Sequence, residues 1–360
     1  MSTGVFVIAE AGVNHNGSLD LARELVDVAA EAGADAVKFQ TFSAERLVDR
    51  HAPKAAYQVR RTGGGESQLE MLRRLELSES DHEVLIAHAR ARSIAFLSTP
   101  FDLPSLRLLT ERFGVETIKV PSGEITNGPF LLAIAGVARR VILSTGMSTL
   151  AEVEAALEVL AFGFQGAAGV APGRRAFAAS YATDAGRAAL RERVSLLHCT
   201  SEYPAPAGDV NLRAMDTLAH AFGLPVGYSD HTAGFHIALA AVARGARVLE
   251  KHFTLDRTLP GPDHEASLEP LELRAMVGAV REIERALGDG VKRPMPSELD
   301  TRSVARRRLV ASRAIQAGET LGEENVTCMR PGVGMSPMAF WEVAGRVAAR
   351  SYAAGEALDE

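Results

Sequence analysis

Two histidines are spaced to share a metal ion. His231 closes Tyr228-Ser229-Asp230-His231, and His252 sits in Glu250-Lys251-His252-Phe253. Each follows a short apolar run, Leu224-Pro225-Val226-Gly227 and Ala246-Arg247-Val248-Leu249, with a helical stretch from Phe235 to Arg244 between them. Strand, helix, strand brings both imidazoles out at the same end of neighbouring parallel strands. Neutral imidazole is the commonest protein ligand for divalent ions. The competing reading is two unrelated histidines, each satisfied by its own hydrogen bond.

The corresponding ends of six earlier strand-like runs are also polar. The first ends in Glu10, with Asn14-His15-Asn16 following, and the second in Lys38 and Gln40. The third gives Ser98-Thr99-Pro100, the fourth Lys119 and then Ser122-Gly123-Glu124. The fifth gives Ser144-Thr145-Gly146, the sixth His198 and Thr200-Ser201-Glu202-Tyr203. Lysines, hydroxyls and glycine-containing turns suit a phosphate or carboxylate, because small residues let backbone N–H groups approach an anion. Glu10 and Glu124 are candidates for proton transfer, tuned by burial beside lysine. His231 and His252 are the candidates for holding a Lewis-acid metal. Two other readings stand: each lysine as a structural ion-pair partner of Glu10, Glu124 or Glu250, and Lys119 as a Schiff-base nucleophile.

The elements that must position these groups alternate along the chain. Apolar strand-like runs lie near 5–9, 36–39, 94–98, 117–120, 141–144, 194–198, 225–228 and 248–252. Amphipathic stretches such as Leu19 to Ala32, Ser80 to Ala91 and Ala151 to Phe162 fall between them. Eight strand–helix units with nearly continuous apolar strands predict an α/β protein with a parallel sheet under helices, and eight is the count that closes a (β/α)₈ TIM barrel. A doubly wound open sheet shares the same periodicity. The excursion Arg46 to Leu77 follows a strand C-terminus and is expected to form a lid; a second insertion spans Gly163 to Arg193. Residues 1–288 are read as the barrel, 289–303 as a Pro-containing charged linker, and 304–360 as a small module of short strands with a meagre core.

Bulk properties narrow the class. The chain has 360 residues, 47% hydrophobic and 23% charged, with a formal charge of −6, which suits a globular protein and argues against nucleic acid as the main partner. Cys199 and Cys328 suggest no disulfide framework or metal knuckle. No apolar run approaches the roughly 20 residues of a membrane helix, and the first residues lack a leader's basic and cleavage regions, so a cytoplasmic location is expected.

The motifs also carry a resemblance. Ile8-Ala9-Glu10-Ala11-Gly12-Val13-Asn14-His15-Asn16-Gly17, Val37-Lys38-Phe39-Gln40-Thr41, Leu97-Ser98-Thr99-Pro100-Phe101 and Ile118-Lys119-Val120-Pro121-Ser122-Gly123-Glu124 resemble the sialic acid synthase family. So do Leu143-Ser144-Thr145-Gly146-Met147, His198-Cys199-Thr200-Ser201-Glu202-Tyr203-Pro204, Gly227-Tyr228-Ser229-Asp230-His231-Thr232 and Glu250-Lys251-His252-Phe253-Thr254. The likeness continues through Gly261-Pro262-Asp263-His264 and Arg330-Pro331-Gly332, over nearly the whole chain.

The resemblance implies condensation of phosphoenolpyruvate with an open-chain N-acylated mannosamine-type sugar, giving a nine-carbon 2-keto sugar acid and phosphate. It implies that His231 and His252 hold Mn²⁺, with Mg²⁺ or Co²⁺ as alternatives, and that Asp263 lies nearby. Lys38, Thr99, Lys119, Ser122 and Ser144 match phosphoenolpyruvate-contacting positions, and Glu10 and Glu124 match acid/base carboxylates. Gln40, Ser201, Tyr203 and Ser229, in the same motifs, are taken as further substrate contacts. The residues from Leu309 resemble the family's antifreeze-like (SAF) domain, which implies a domain-swapped homodimer whose Arg330 reaches the partner's sugar N-acyl group. Ser201 precedes Glu202-Tyr203-Pro204 where some neuraminate-forming members carry Asn before Ile-Tyr-Pro, the 163–193 insertion resembles that of legionaminate-forming members, and the loop Arg60-Arg61-Thr62-Gly63 has arginine where relatives often place Asn. These departures tilt the expected sugar towards 2,4-diacetamido-2,4,6-trideoxymannose over N-acetylmannosamine. Outside synthase chemistry, the rivals are a Schiff-base aldolase or lyase and a non-enzymatic carbohydrate- or ice-binding protein.

Overall fold

The computed structural model describes residues 4–55, 58–59, 65–166 and 169–359. These fall into two compact units divided between Gly288 and Asp289. The arginine-bearing loop at 60–63 lies outside the described residues.

In the first unit, eight parallel strands follow one another: β1 Phe6–Gly12, β2 Ala36–Thr41, β3 Ala95–Pro100, β4 Thr117–Val120, β5 Arg140–Ser144, β6 Val194–Cys199, β7 Val226–Asp230 and β8 Val248–His252. Parallel ladders join them in the order β3-β2-β1-β8-β7-β6-β5-β4. β3 and β4 lie side by side, completing the ring without a ladder among the described residues. This is the expected TIM-barrel architecture, and the β1–β8 pairing rules out a doubly wound sheet that ends at β1. Helices Leu19–Glu31, Glu79–Ala91, Leu150–Gln165 and His236–Ala243 stand where the amphipathic stretches predicted them. Two begin on capping boxes: Ser78 and Thr149 each accept from the third helical N–H, while Asp81 and Glu152 reach back to the cap.

Side-chain alternation sorts the strands into two layers. Val7, Ala9, Val37, Leu143, Leu196 and Leu249 pack outward into the large core under the helices. Ile8, Ala36, Leu97, Ile142, Leu197 and Val248 point inward and form a separate apolar plug. The next inward position on each strand, two residues on, stands above that plug. There the sequence places Glu10, Lys38, Thr99, Ser144, Cys199 and Glu250. Period two therefore delivers the polar groups to one end of the barrel.

The excursion after β2 contributes helices Ala44–Leu47 and Gln68–Arg73. It docks through a small cluster in which Met71 and Leu75 pack with Val13 and Phe42, from the loops after β1 and β2. The 163–193 insertion continues the helix Leu150–Gln165 and adds helices Arg174–Ala182 and Asp184–Arg193. It packs outside the barrel, Phe177 meeting Phe162 edge-on at 5.2 Å between ring centres.

The second unit pairs strands β9 Arg308–Ala311 and β10 Val326–Met329 antiparallel. Bridges Ile315 to Tyr352 and Thr320 to Val347 tie the remaining short segments. Its core is correspondingly small, built on Leu309, Ile315, Leu321, Val343, Tyr352 and Leu358 among others.

Candidate active site

A cavity of about 440 Å³ opens at the C-terminal end of the eight strands, the end on which barrel enzymes place their chemistry. Thirteen of the fifteen sequence-predicted site residues line it: Glu10, Lys38, Gln40, Thr99, Lys119, Ser122, Ser144, Ser201, Tyr203, Ser229, His231, His252 and Asp263. Two do not. Glu124 falls in the 3₁₀ turn Ser122–Glu124, where strand alternation has ended, and its carboxylate accepts from Asn127 Nδ2 at 2.7 Å. Arg330 belongs to the second unit, is exposed, and has no ion-pair partner among the described residues.

The floor is a buried charge cluster. Lys38 Nζ stands 2.7 Å from Glu10 Oε2 and 3.4 Å from Glu250 Oε2, and donates to Thr99 Oγ1 at 3.1 Å. Lys119 Nζ stands 3.3 Å from Glu250 Oε1, which also accepts from Ser229 Oγ at 2.7 Å. Both lysines thus make the ion pairs offered as their structural role, though with Glu10 and Glu250 and not with Glu124. Each still faces the cavity, so pairing and anion binding are compatible.

Burial acts unequally on these groups. Burial raises the Glu10 carboxyl well above the usual carboxylate range, and the opposing pull of Lys38 does not cancel it. Glu250 is equally buried, but Lys119, Lys38 and the Ser229 hydroxyl together hold it below that range. Burial also depresses Lys38, yet Glu10 and Glu250 outweigh it and leave that ammonium firmly charged. Lys119, again through burial, is left lowered. A carboxyl shifted towards its neutral form beside the firmly charged Lys38 favours an anion at that side of the floor.

Glu250 is the residue the sequence reading passed over, having treated it only as an ion-pair partner. Its signal was available: it shares the inward parity of Val248 and His252 on β8. Cys199 was missed as well; its Sγ lies 3.2 Å from Ser122 Oγ, which accepts from the Gly146 N–H at 3.0 Å. A Cβ on Gly146 would stand 2.5 Å from Ser201 Oγ and 2.7 Å from Ser122 Oγ, so only glycine lets these hydroxyls converge.

The two imidazoles occupy the cavity side by side, ring centres 5.7 Å apart, with Tyr203 4.2 Å from His231 and 5.5 Å from His252. Burial pushes His231 down to about 4, and holds His252 well below its ordinary value, with His231 and Lys38 adding to the effect. Both are neutral at neutral pH. The tautomer of His231 follows from its contacts: the Thr200 carbonyl, 2.6 Å from Nδ1, can only accept, so Nδ1 carries the proton. Nε2 then presents a lone pair, because the single Ser229 hydroxyl proton goes to Glu250. His252 Nδ1 is buried without a hydrogen-bond partner and lies 3.9 Å from Asp263 Oδ2. An orphaned imidazole nitrogen and a free lone pair suit a divalent ion. Among the described residues no three His, Cys, Asp or Glu side chains converge as a ligand set. His231 Nε2 and His252 Nδ1 are the two imidazole nitrogens this cavity would offer such an ion.

The wall above the floor comes from the excursion: Leu47, Val48, Ala55, Gln58, Gln68, Met71, Leu72 and Leu75 line the cavity. The excursion expected to form a lid contributes this wall. No described residue of the 163–193 insertion lines the cavity.

Comparison with known proteins agrees with this geometry. Residues 25–292 match the NeuB family and residues 306–360 the SAF domain. The chain is 48% identical to N,N'-diacetyllegionaminic acid synthase of Campylobacter jejuni, covering 98% of each, and 45% identical to that of Legionella pneumophila, covering 98% of this chain and 93% of the relative. Among solved structures it resembles N-acetylneuraminic acid (sialic acid) synthetase from Leptospira borgpetersenii, at 35% identity and a TM-score of 0.66, over 83% of this chain and 90% of that one. By its barrel, its second unit and these identities, the chain belongs to the NeuB family of sialic acid-type synthases and carries a C-terminal SAF domain.

Proposed function

We propose that this chain is a nonulosonic acid synthase. It condenses phosphoenolpyruvate with an open-chain N-acylated mannosamine-type sugar, 2,4-diacetamido-2,4,6-trideoxymannose ahead of N-acetylmannosamine. The products are N,N'-diacetyllegionaminate, or N-acetylneuraminate from the second sugar, and inorganic phosphate. The observation that carries this reading is a buried Lys38–Glu10–Glu250–Lys119 floor beside two neutral imidazoles. The names of the 48% and 45% identical relatives support the choice of sugar.

Lys38 and Lys119, with Thr99, Ser122 and Ser144, hold the phosphate and carboxylate of phosphoenolpyruvate. The Ser144 hydroxyl is buried without a protein partner, as a ligand-binding group requires. Ser201, Tyr203, Gln40 and Ser229 orient the sugar so that its aldehyde carbon meets C3 of phosphoenolpyruvate. A divalent ion held by His231 and His252, Mn²⁺ ahead of Mg²⁺ or Co²⁺, supplies Lewis-acid polarisation of the aldehyde. As the C3–C1 bond forms, C2 becomes an oxocarbenium centre, which the adjacent Glu10 carboxylate stabilises. Water adds to C2 and gives one proton through Glu10 to the former aldehyde oxygen; the C2–O bond to phosphate then breaks as the C2 hydroxyl passes its proton to the departing phosphate, leaving the ketone. The raised pKa of Glu10 lets it serve both ends of this sequence. Glu124, tied to Asn127 outside the lining, has no step here.

Dimerisation and location extend the reading. Near Arg330 in sequence, Met329, Val333, Met338 and Trp341 are exposed, apolar side chains suited to burial by a second copy in a domain-swapped homodimer. No described helix is long and apolar enough to cross a membrane, in keeping with a cytoplasmic enzyme. The test is phosphate release from phosphoenolpyruvate with Mn²⁺ or with EDTA, offering each sugar in turn. Release that needs both sugar and metal is expected, and its absence with either sugar would overturn the reading.

A further inference from the structure

The cavity is chemically divided, and the division bears on which sugar enters it. Its floor carries four charged side chains and two imidazoles. Among the described residues of 47–75 that line the wall none is charged: six are apolar and two are glutamines. The excursion is rich in charge, and several of its described charges are paired with one another or with their supports. Lys54 pairs with Glu66 at 3.1 Å, Arg74 with Glu66 at 2.8 Å, Arg73 with Glu45 at 2.6 Å and Arg46 with Asp102 at 3.4 Å. Those charges are satisfied within the excursion and its supports. What faces the cavity is Val48 and Leu72, with the half-buried Gln68, whose amide has no partner among the described residues.

We infer that this inner face, through Val48, Leu72 and Gln68, selects the sugar by its far end, accepting a 4-acetamido, 6-methyl terminus and disfavouring a 4,6-dihydroxy one. The inference rests on the synthase reading and adds to it the residues that discriminate. With C1 at the floor, C4 to C6 extend towards the wall. A methyl at C6 packs against Val48 and Leu72, and hydroxyls there would lose water without gaining partners. Gln68 offers one donor and one acceptor to a secondary amide, matching an acetamido group at C4. An apolar surface rejects an added hydroxyl only moderately, by about 10²-fold, so the selectivity is a preference.

The experiment measures kcat/KM for both sugars with the full-length Mn²⁺-loaded enzyme and with Val48→Thr, Leu72→Gln and Gln68→Leu, checking each melting temperature. The wild type is expected to favour the diacetamido sugar by about 10²-fold. Val48→Thr and Leu72→Gln are expected to narrow that ratio by about tenfold, partly by improving N-acetylmannosamine. Gln68→Leu should lower kcat/KM for the diacetamido sugar and leave the KM for phosphoenolpyruvate in place. A general structural defect would lower both sugars alike, so an unchanged ratio in all three variants overturns the inference. Comparable use of both sugars by the wild type also overturns it, with the synthase reading intact. No phosphate release with either sugar removes both.

Discussion

Glu10 and Lys38 are direct neighbours in the β1–β2 register, and their side chains meet 2.7 Å apart at 2% exposure each. The lysine is shared, since Glu250 approaches it from β8 on the other side of β1. Losing either member of the pair has different consequences, because only Lys38 has a second carboxylate to fall back on.

Glu10→Gln should therefore fold and lose turnover. Its Lys38 retains Glu250, so the stability cost is modest, while removal of a proton-transfer group lowers kcat by about 10²–10⁴-fold. Lys38→Met leaves two buried carboxylates facing each other and should cost about 3–5 kcal/mol. Melting curves and phosphate release separate the two outcomes. Near-wild-type kcat in Glu10→Gln would remove the role proposed for this carboxyl.

Metal binding is readable without turnover. His252→Ala deletes the orphaned Nδ1, and isothermal titration with Mn²⁺ alone should lose most of its signal. Mn²⁺ should raise the wild-type melting temperature and leave that of the variant unmoved, as binding to the folded state demands. Equal Mn²⁺ binding by both proteins would take the metal away from this pair.

The polar floor was legible because strand alternation is rigid. Once Ile8 is inward, Glu10 must be; once Leu97 is inward, so is Thr99. The same rule fails beyond a strand end, and that is why Glu124, four residues past β4 in a 3₁₀ turn, reads as a site residue and stands outside the described lining. Glu250 was legible by parity and was discounted only because a lysine needed a partner. The excursion's inner face was not legible. Whether Leu72 or Arg73 meets the cavity depends on how Met71 and Leu75 dock against Val13 and Phe42, a long-range contact with no local signature. Arg330 shows the same limit, since nothing in its own sequence tells which surface it serves.

Lys119 supplies the test of the rival chemistry. Burial lowers its pKa, as a Schiff-base lysine requires, but Glu250 at 3.3 Å keeps it in an ion pair. Borohydride added during turnover should leave the chain's mass unchanged. A reduced adduct on the peptide carrying Lys119 would support a lyase and count against direct condensation.

Acid should destabilise the fold in a defined window. His15 is fully buried, and burial pushes it down to about 4 from 6.5. The unfolded chain then binds more protons than the folded one between those values. Its contribution is intact above pH about 6.5 and falls away as pH drops towards 4, by up to about 3 kcal/mol. His15→Asn keeps an acceptor for the Gly17 N–H, which now bonds to Nδ1 at 3.0 Å, and should flatten that part of the melting-temperature profile. An equally steep profile in the variant would assign the acid sensitivity to other buried histidines.

Gly17 links the β1 loop to the excursion. Its φ is +78°, and a Cβ there would stand 2.2 Å from the Arg74 carbonyl oxygen. Gly17→Ala should cost at least about 1–2 kcal/mol from the backbone conformation alone. The clash adds a displacement of Arg74, which caps the helix Gln68–Arg73. Because Gln68 and Leu72 ride on that helix, the sugar KM should rise while the phosphoenolpyruvate KM, set at the barrel floor, changes little. A lowered melting temperature with both KM values unmoved would mean that the cavity wall is held by the Met71–Leu75 cluster alone. That result would separate the stability of this loop from its part in binding.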